Sequence, residues 1–216
     1  MTKFGLSYIG FSFIQLLILF VFYELPLSLE YFLISHSSQI NSNIQNVFVL
    51  VSMLVILTAF INYSKTKMWA DWHWENIWNN KRIILGILIL MLMFGFLMPN
   101  IAPSHNQQLL DKIEEKLPFF ITIFSEVVFG PICEEIIFRA GIFEYALALF
   151  PKLAFFFSVL MFASVHMLGD MINLLDWLVY LVMSLMFTFT YFKTRKVEAS
   201  IAVHMLWNLC AIVFGI

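Results

Sequence analysis

Six polar side chains stand where apolar ones belong. Glu134, Glu135 and Arg139 lie in one apolar run, His166 ends a second, and His204 and Asn208 share a third. An ionisable group at the centre of a membrane helix costs about 2.5–3.5 kcal/mol to insert, so its presence is first a hypothesis of function. These types suit hydrolysis. A carboxylate can take a proton from water, an imidazole can hold one, and histidine or asparagine N–H groups can face a developing oxyanion. Spacing divides the roles. Glu135 and Arg139 are i,i+4 with the acid first, the favourable order for a helical ion pair. Glu134 is turned about 100° from Glu135 and is left to face something else. His204 and Asn208 are also four apart and share a helix face. Gly130-Pro131 precede the carboxylates. Proline inside a helix removes a hydrogen bond, and the freed carbonyl then needs a polar neighbour. One histidine alone would ordinarily be a helix–helix hydrogen-bonding residue. Six such groups on three helices make a candidate site.

The elements that must carry them follow from composition. Of 216 residues, 62% are apolar and 12% are charged, with 25 Phe; mean hydropathy is +0.89. Soluble domains carry about 45–50% apolar and about 25% charged residues. A cytosolic enzyme, a nucleic-acid binder and a disordered tail are therefore excluded. The expected fold is all-α, a polytopic membrane helix bundle of about seven transmembrane helices. The apolar segments are Phe4–Tyr23, Ile44–Tyr63, Ile83–Met98, Phe119–Phe138, Leu153–Leu168, Leu174–Phe192 and Ala199–Phe214. The first is longer than a signal-peptide core of about 7–15 residues and reads as a span. Residues 1–118 are expected to be scaffold: three spans, a Trp-rich interfacial segment at 68–78, and an outer amphipathic loop at 104–117. Residues 119–216 are expected to hold the site in four spans.

Ten Lys and Arg fall on the N-terminal side of the membrane in this scheme, and only Lys112 and Lys116 on the other. The positive-inside rule then puts the N-terminus inside and the C-terminus outside the cell membrane. A turn at Phe150-Pro151 puts Glu134 and His166, each 16 residues from Phe150, at one height. His204 comes out roughly 12 Å off that level at about 1.5 Å per residue. Glu126 is expected toward the outer interface, and Asp170, Asp176 and Glu198 as solvated span-end charges. Cys133 and Cys210 lie in apolar runs and read as buried free thiols.

Three short patterns now carry a resemblance. Glu134-Glu135-Ile136-Ile137-Phe138-Arg139 is similar to the EExxxR motif of the CPBP family of intramembrane proteases, which includes the type II CAAX prenyl endopeptidases and the bacteriocin-processing or immunity proteins. Phe162-Ala163-Ser164-Val165-His166 resembles its FxxxH motif, and His204-Met205-Leu206-Trp207-Asn208 its HxxxN motif. They fall in order and cover roughly residues 119 to 214. The resemblance implies Glu134 as the water-activating base with His166 beside it, His204 and Asn208 steadying the oxyanion, and Glu135 with Arg139 supporting the site. It implies peptide-bond hydrolysis in a membrane-associated or lipidated peptide or protein. A zinc ion on Glu134, His166 and His204 is one version, since two His and a Glu can bind Zn²⁺; metal-free general-base hydrolysis is the other and is preferred. The expected partners are membrane lipids and the peptide substrate, with no nucleic acid. The competing functions are a non-catalytic immunity or binding protein on the same scaffold and an ion or proton transporter. A minor reading makes Cys133 a nucleophile.

Overall fold

The computed structural model describes residues 15–26, 28, 42–67, 72–97, 118–167 and 174–215. Every element among them is helical. The outer loop at 104–117 and Asp170 lie outside the described residues. So does the start of the Trp-rich segment, residues 68–71. The helices are α1 Gln15–Pro26, α2 Ser42–Lys67, α3 Glu75–Asn79 and α4 Lys81–Leu97. A long helical run, residues 119–149, forms α5. It is followed by α6 Ala154–Val165, α7 Leu174–Thr194 and α8 Val197–Phe214.

Among the described residues three helices are long and apolar enough to cross a bilayer: Asn43–Lys65 within α2, then Leu174–Thr194 and Val197–Phe214. The expectation of about seven spans is thus met only in part. α1 and α6 are shorter apolar helices. α4 has 17 residues, at the lower limit for a span.

The core runs around α5. Met53 and Phe60 of α2, Met91 of α4, Phe129 and Ile136 of α5, Phe162 of α6 and Phe187 of α7 are almost fully buried there. The opposite faces of these helices leave Val47, Val51 and Val55, Leu85 and Ile89, or Phe156 and Leu160 exposed. An apolar exterior over a packed interior is what lipid requires, because water is not the outer solvent.

α5 changes helical register twice. Phe124–Phe129 and Ile136–Phe143 are π-helical, flanking the α-helical turn Gly130–Glu135. In a π register each N–H reaches back five residues. The Gly130 N–H accordingly bonds the Ser125 carbonyl. The next donor in that register would be residue 131, which is proline and has no N–H. The Glu126 carbonyl is left over, and the Asn208 side-chain amide of α8 donates to it at 2.8 Å. Pro131 therefore sets both the register change and a docking point for α8.

Two sequence expectations are corrected here. Glu198 and Asp176 are not solvated: they are 1% and 7% exposed. Glu198 opens α8, and its Oε1 accepts the His73 backbone N–H at 2.6 Å and the Asn76 amide at 3.0 Å. It fastens the entry to α3 onto the start of α8.

Candidate active site

The carboxylate pair sits between the two π-helical segments, where π-bulges frequently mark functional sites. Its two members have different surroundings. Glu135 is closed off, with no exposed side-chain surface. Its Oε2 lies 3.1 Å from Nε of Arg139 and accepts the Ser200 hydroxyl, and its Oε1 accepts Nδ1–H of His204 at 3.0 Å. Arg139 is equally buried. Its guanidinium lies 4.6 Å from the centre of the Phe162 ring and 5.6 Å from that of Phe187, a cation–π cage in a dry interior. Nη2 reaches the Ser184 carbonyl at 3.4 Å. Nη1 has no hydrogen-bond partner among the described residues.

Glu134 is the open member, with 12% of its side chain exposed. Its Oε1 accepts the Tyr23 hydroxyl at 2.6 Å. Its Oε2 faces Nε2 of His204 at 3.8 Å. One imidazole thus bridges both carboxylates: Nδ1 is committed to Glu135 and Nε2 is turned to Glu134. The His204 ring stacks on Phe187, centroids 4.1 Å apart, which fixes its plane.

His166 caps the end of α6. Its Nδ1 lies 2.8 Å from the Phe162 carbonyl. A carbonyl only accepts, so Nδ1 carries the hydrogen and Nε2 of the neutral ring is left as an acceptor. The ring stacks on Tyr180 at 4.5 Å and packs on Phe162 at 4.4 Å. Phe162 also lies 6.1 Å from the His204 ring. One phenyl ring therefore spaces both histidines and the Arg139 guanidinium.

The depth difference foreseen for His204 disappears through one contact. Arg195 in the α7–α8 turn pairs with Glu144 of α5 at 2.7 Å. Ten residues back from Glu144 is Glu134, and nine forward from Arg195 is His204. The structure thus gathers Glu134, Glu135, Arg139 and His204 directly, and His166 through Phe162. Asn208 stands one turn further along α8 with one amide hydrogen on the Glu126 carbonyl. Cys133 is completely buried in the core, no place for a nucleophile.

Donor chemistry alone would suit a metal, but the arrangement does not. His204 is held by Glu135 and faces Glu134 at 3.8 Å. Among the described residues no three His, Cys, Asp or Glu side chains are placed to share an ion. The set Glu134, His166 and His204 is therefore not a ligand set as it stands.

Tyr23 was not foreseen. A tyrosine in an apolar first span carries no signal, and its partner is 111 residues away. Gly130 marks the spot from the other side. A Cβ there would lie 3.2 Å from the Ser125 carbonyl, 3.7 Å from the Tyr23 hydroxyl and 3.8 Å from Glu134.

A helical membrane bundle with a buried carboxylate–arginine pair beside an open carboxylate and two histidines is the class that this fold and site define. The comparisons are specific about its kind. Residues 116–210 match the family described as Type II CAAX prenyl endopeptidase Rce1-like. The chain is 27% identical to the UPF0177 protein YvdC of Lactococcus lactis subsp. lactis (strain IL1403), covering 100% of this chain and 84% of that protein. It is 31% identical to the UPF0177 protein YajF of the same strain, over 69% of this chain and 75% of that one. To the "Putative membrane peptidase YdiL" of Bacillus subtilis (strain 168) it is 30% identical, over 64% of this chain and 61% of that one. No solved structure matches it. The chain belongs to the CPBP family of intramembrane proteases.

Proposed function

We propose that the chain is an intramembrane endopeptidase that hydrolyses a peptide bond of a membrane-associated or lipidated substrate, with Glu134 as the base. The observation that carries this reading is the inequality of the two carboxylates. Glu135 is saturated by Arg139, Ser200 and His204, so it can hold the site but not exchange protons with a substrate. Among the described residues Glu134 Oε2 has no partner at hydrogen-bond distance, and the side chain is partly exposed. A base needs such an oxygen within one water of its target.

The steps assign a group to each proton. A water gives one hydrogen bond to Glu134 Oε2 and the other to Nε2 of His166, which directs its lone pair at the scissile carbonyl carbon. Glu134 takes the proton as the C–O bond forms. The oxyanion is met by Nε2–H of His204, whose ring is already aimed by Glu135, and by the amide hydrogen of Asn208 that is not on Glu126. Such pre-aimed donors are worth about 2.7–4 kcal/mol each in acyl transfer. Collapse breaks the C–N bond, and Glu134 returns its proton to the leaving amine.

The deciding experiment compares membrane peptides from cells carrying the wild-type chain and Glu134→Gln. Peptides present with the first and missing with the second identify the products. Identical peptide sets would overturn the reading. Elemental analysis of the purified active chain separates the two chemistries: we expect well under one zinc per chain, and one zinc per chain that leaves together with activity would move the water onto a metal.

A further inference from the structure

We infer that Tyr23 is a positioning residue of the site, supplied by a helix that the three sequence motifs do not reach. The inference rests on Glu134 acting as the base. The Tyr23 hydroxyl donates to Glu134 Oε1 at 2.6 Å, the ordinary length for a hydroxyl bonded to a carboxylate. Tyr23 is 9% exposed, and its ring stacks on Phe129 of α5, centroids 5.8 Å apart and 27° between planes. The phenol is thus held by the same helix that carries its acceptor.

The consequence is a fixed plane for the carboxylate. With Oε1 occupied by Tyr23, the oxygen left for water is Oε2, the one on the His204 side. Without that hydroxyl the carboxylate is free to rotate about its last bond, and neither oxygen is then held in the plane that faces His204. Oε1 would also lose its hydroxyl donor in a part-buried place, a costly state for a carboxylate oxygen. Gly130 supports the same arrangement, since the space a Cβ would take there is bounded by Tyr23, Glu134 and the Ser125 carbonyl. Elsewhere along α1, Gln15 accepts a hydrogen bond from the Tyr63 hydroxyl of α2; this bond involves no site residue and serves as a control.

The test uses the full chain in lipid nanodiscs. The probe is an internally quenched peptide ending in a prenylated CAAX sequence, or a product-defining peptide from the membrane comparison. Tyr23→Phe should lower kcat by roughly 10- to 100-fold, the loss expected for one hydrogen bond to a charged group, with KM within about twofold. Tyr63→Phe should leave kcat unchanged. A wild-type kcat for Tyr23→Phe, or equal losses in both variants, overturns the inference. Glu134→Gln in the same assay reads the underlying proposal: full activity there sinks the base assignment itself. A second measurement needs no turnover. With ¹³C-carboxyl glutamate, Tyr23→Phe should shift a carboxylate stretching band, and the shift should vanish when both proteins also carry Glu134→Gln. A shift that persists, or none at all, overturns the contact.

Discussion

At the residue scale the site is two adjacent glutamates with opposite duties. Burying Glu135 and Arg139 at 0% exposure is tolerable only because each neutralises the other. Breaking such a pair typically costs about 3–5 kcal/mol, because the survivor is left charged and alone. Glu135→Gln should therefore lower the melting temperature in detergent as well as abolish activity, whereas Glu134→Gln should melt like wild type and be inactive. Equal melting temperatures would sink this division. The division was legible in the sequence, since i,i+4 spacing already pairs Glu135 with Arg139 and leaves Glu134 out. What stayed hidden was contact across the chain. Tyr23 looks like any tyrosine at the end of an apolar run. Glu198 looks like a surface acid, because nothing near it in sequence reveals that the His73 N–H and the Asn76 amide come to it from the entry to α3.

At the element scale the unexpected feature is the register of α5. Gly130-Pro131 announced a disturbance but not its form, because α and π registers differ in which carbonyl is left over and composition does not decide that. The structure leaves the Glu126 carbonyl, one position beyond the Ser125 carbonyl taken by Gly130. Asn208 fills the place. Asn208 thus fastens α8 to α5 whatever it does for an oxyanion, and the two duties are separable. Asn208→Leu should destabilise the fold by about 1–3 kcal/mol, the penalty for a buried carbonyl without a donor. Pro131→Ala in that background restores a backbone N–H in the π register and should recover part of the melting temperature but not the activity. A wild-type melting temperature for Asn208→Leu would show that the contact with Glu126 holds nothing, and would leave Asn208 to the chemistry alone.

At the scale of the whole molecule, contacts rather than span counts fix which helix ends lie together. Glu198, in the first turn of α8, holds the entry to α3. That segment joins the end of α2 to the start of α4, so Lys65, Lys81 and Arg82 belong to one end of the bundle. Arg195 pairs with Glu144 near the end of α5, which brings Lys152, Lys193 and Lys196 to the same end. Arg139, counted with these cations from sequence, is instead buried in the ion pair at the depth of the site and has no bearing on orientation. The remaining excess of cations at this end still favours the cytoplasm, because basic loops are retained there. α8 starts at that end and has 18 residues, a rise of about 27 Å, and Glu134 lies ten residues, about 15 Å, along α5 from Glu144. The hydrocarbon layer is about 30 Å thick, so we propose that the carboxylate lies near mid-membrane and that Phe214, at the end of α8, lies at the outer face. A reporter fused after Ile216 that works only in the cytoplasm should be silent, and one that needs export should be active. The reverse pattern would place the Arg195–Glu144 end outside.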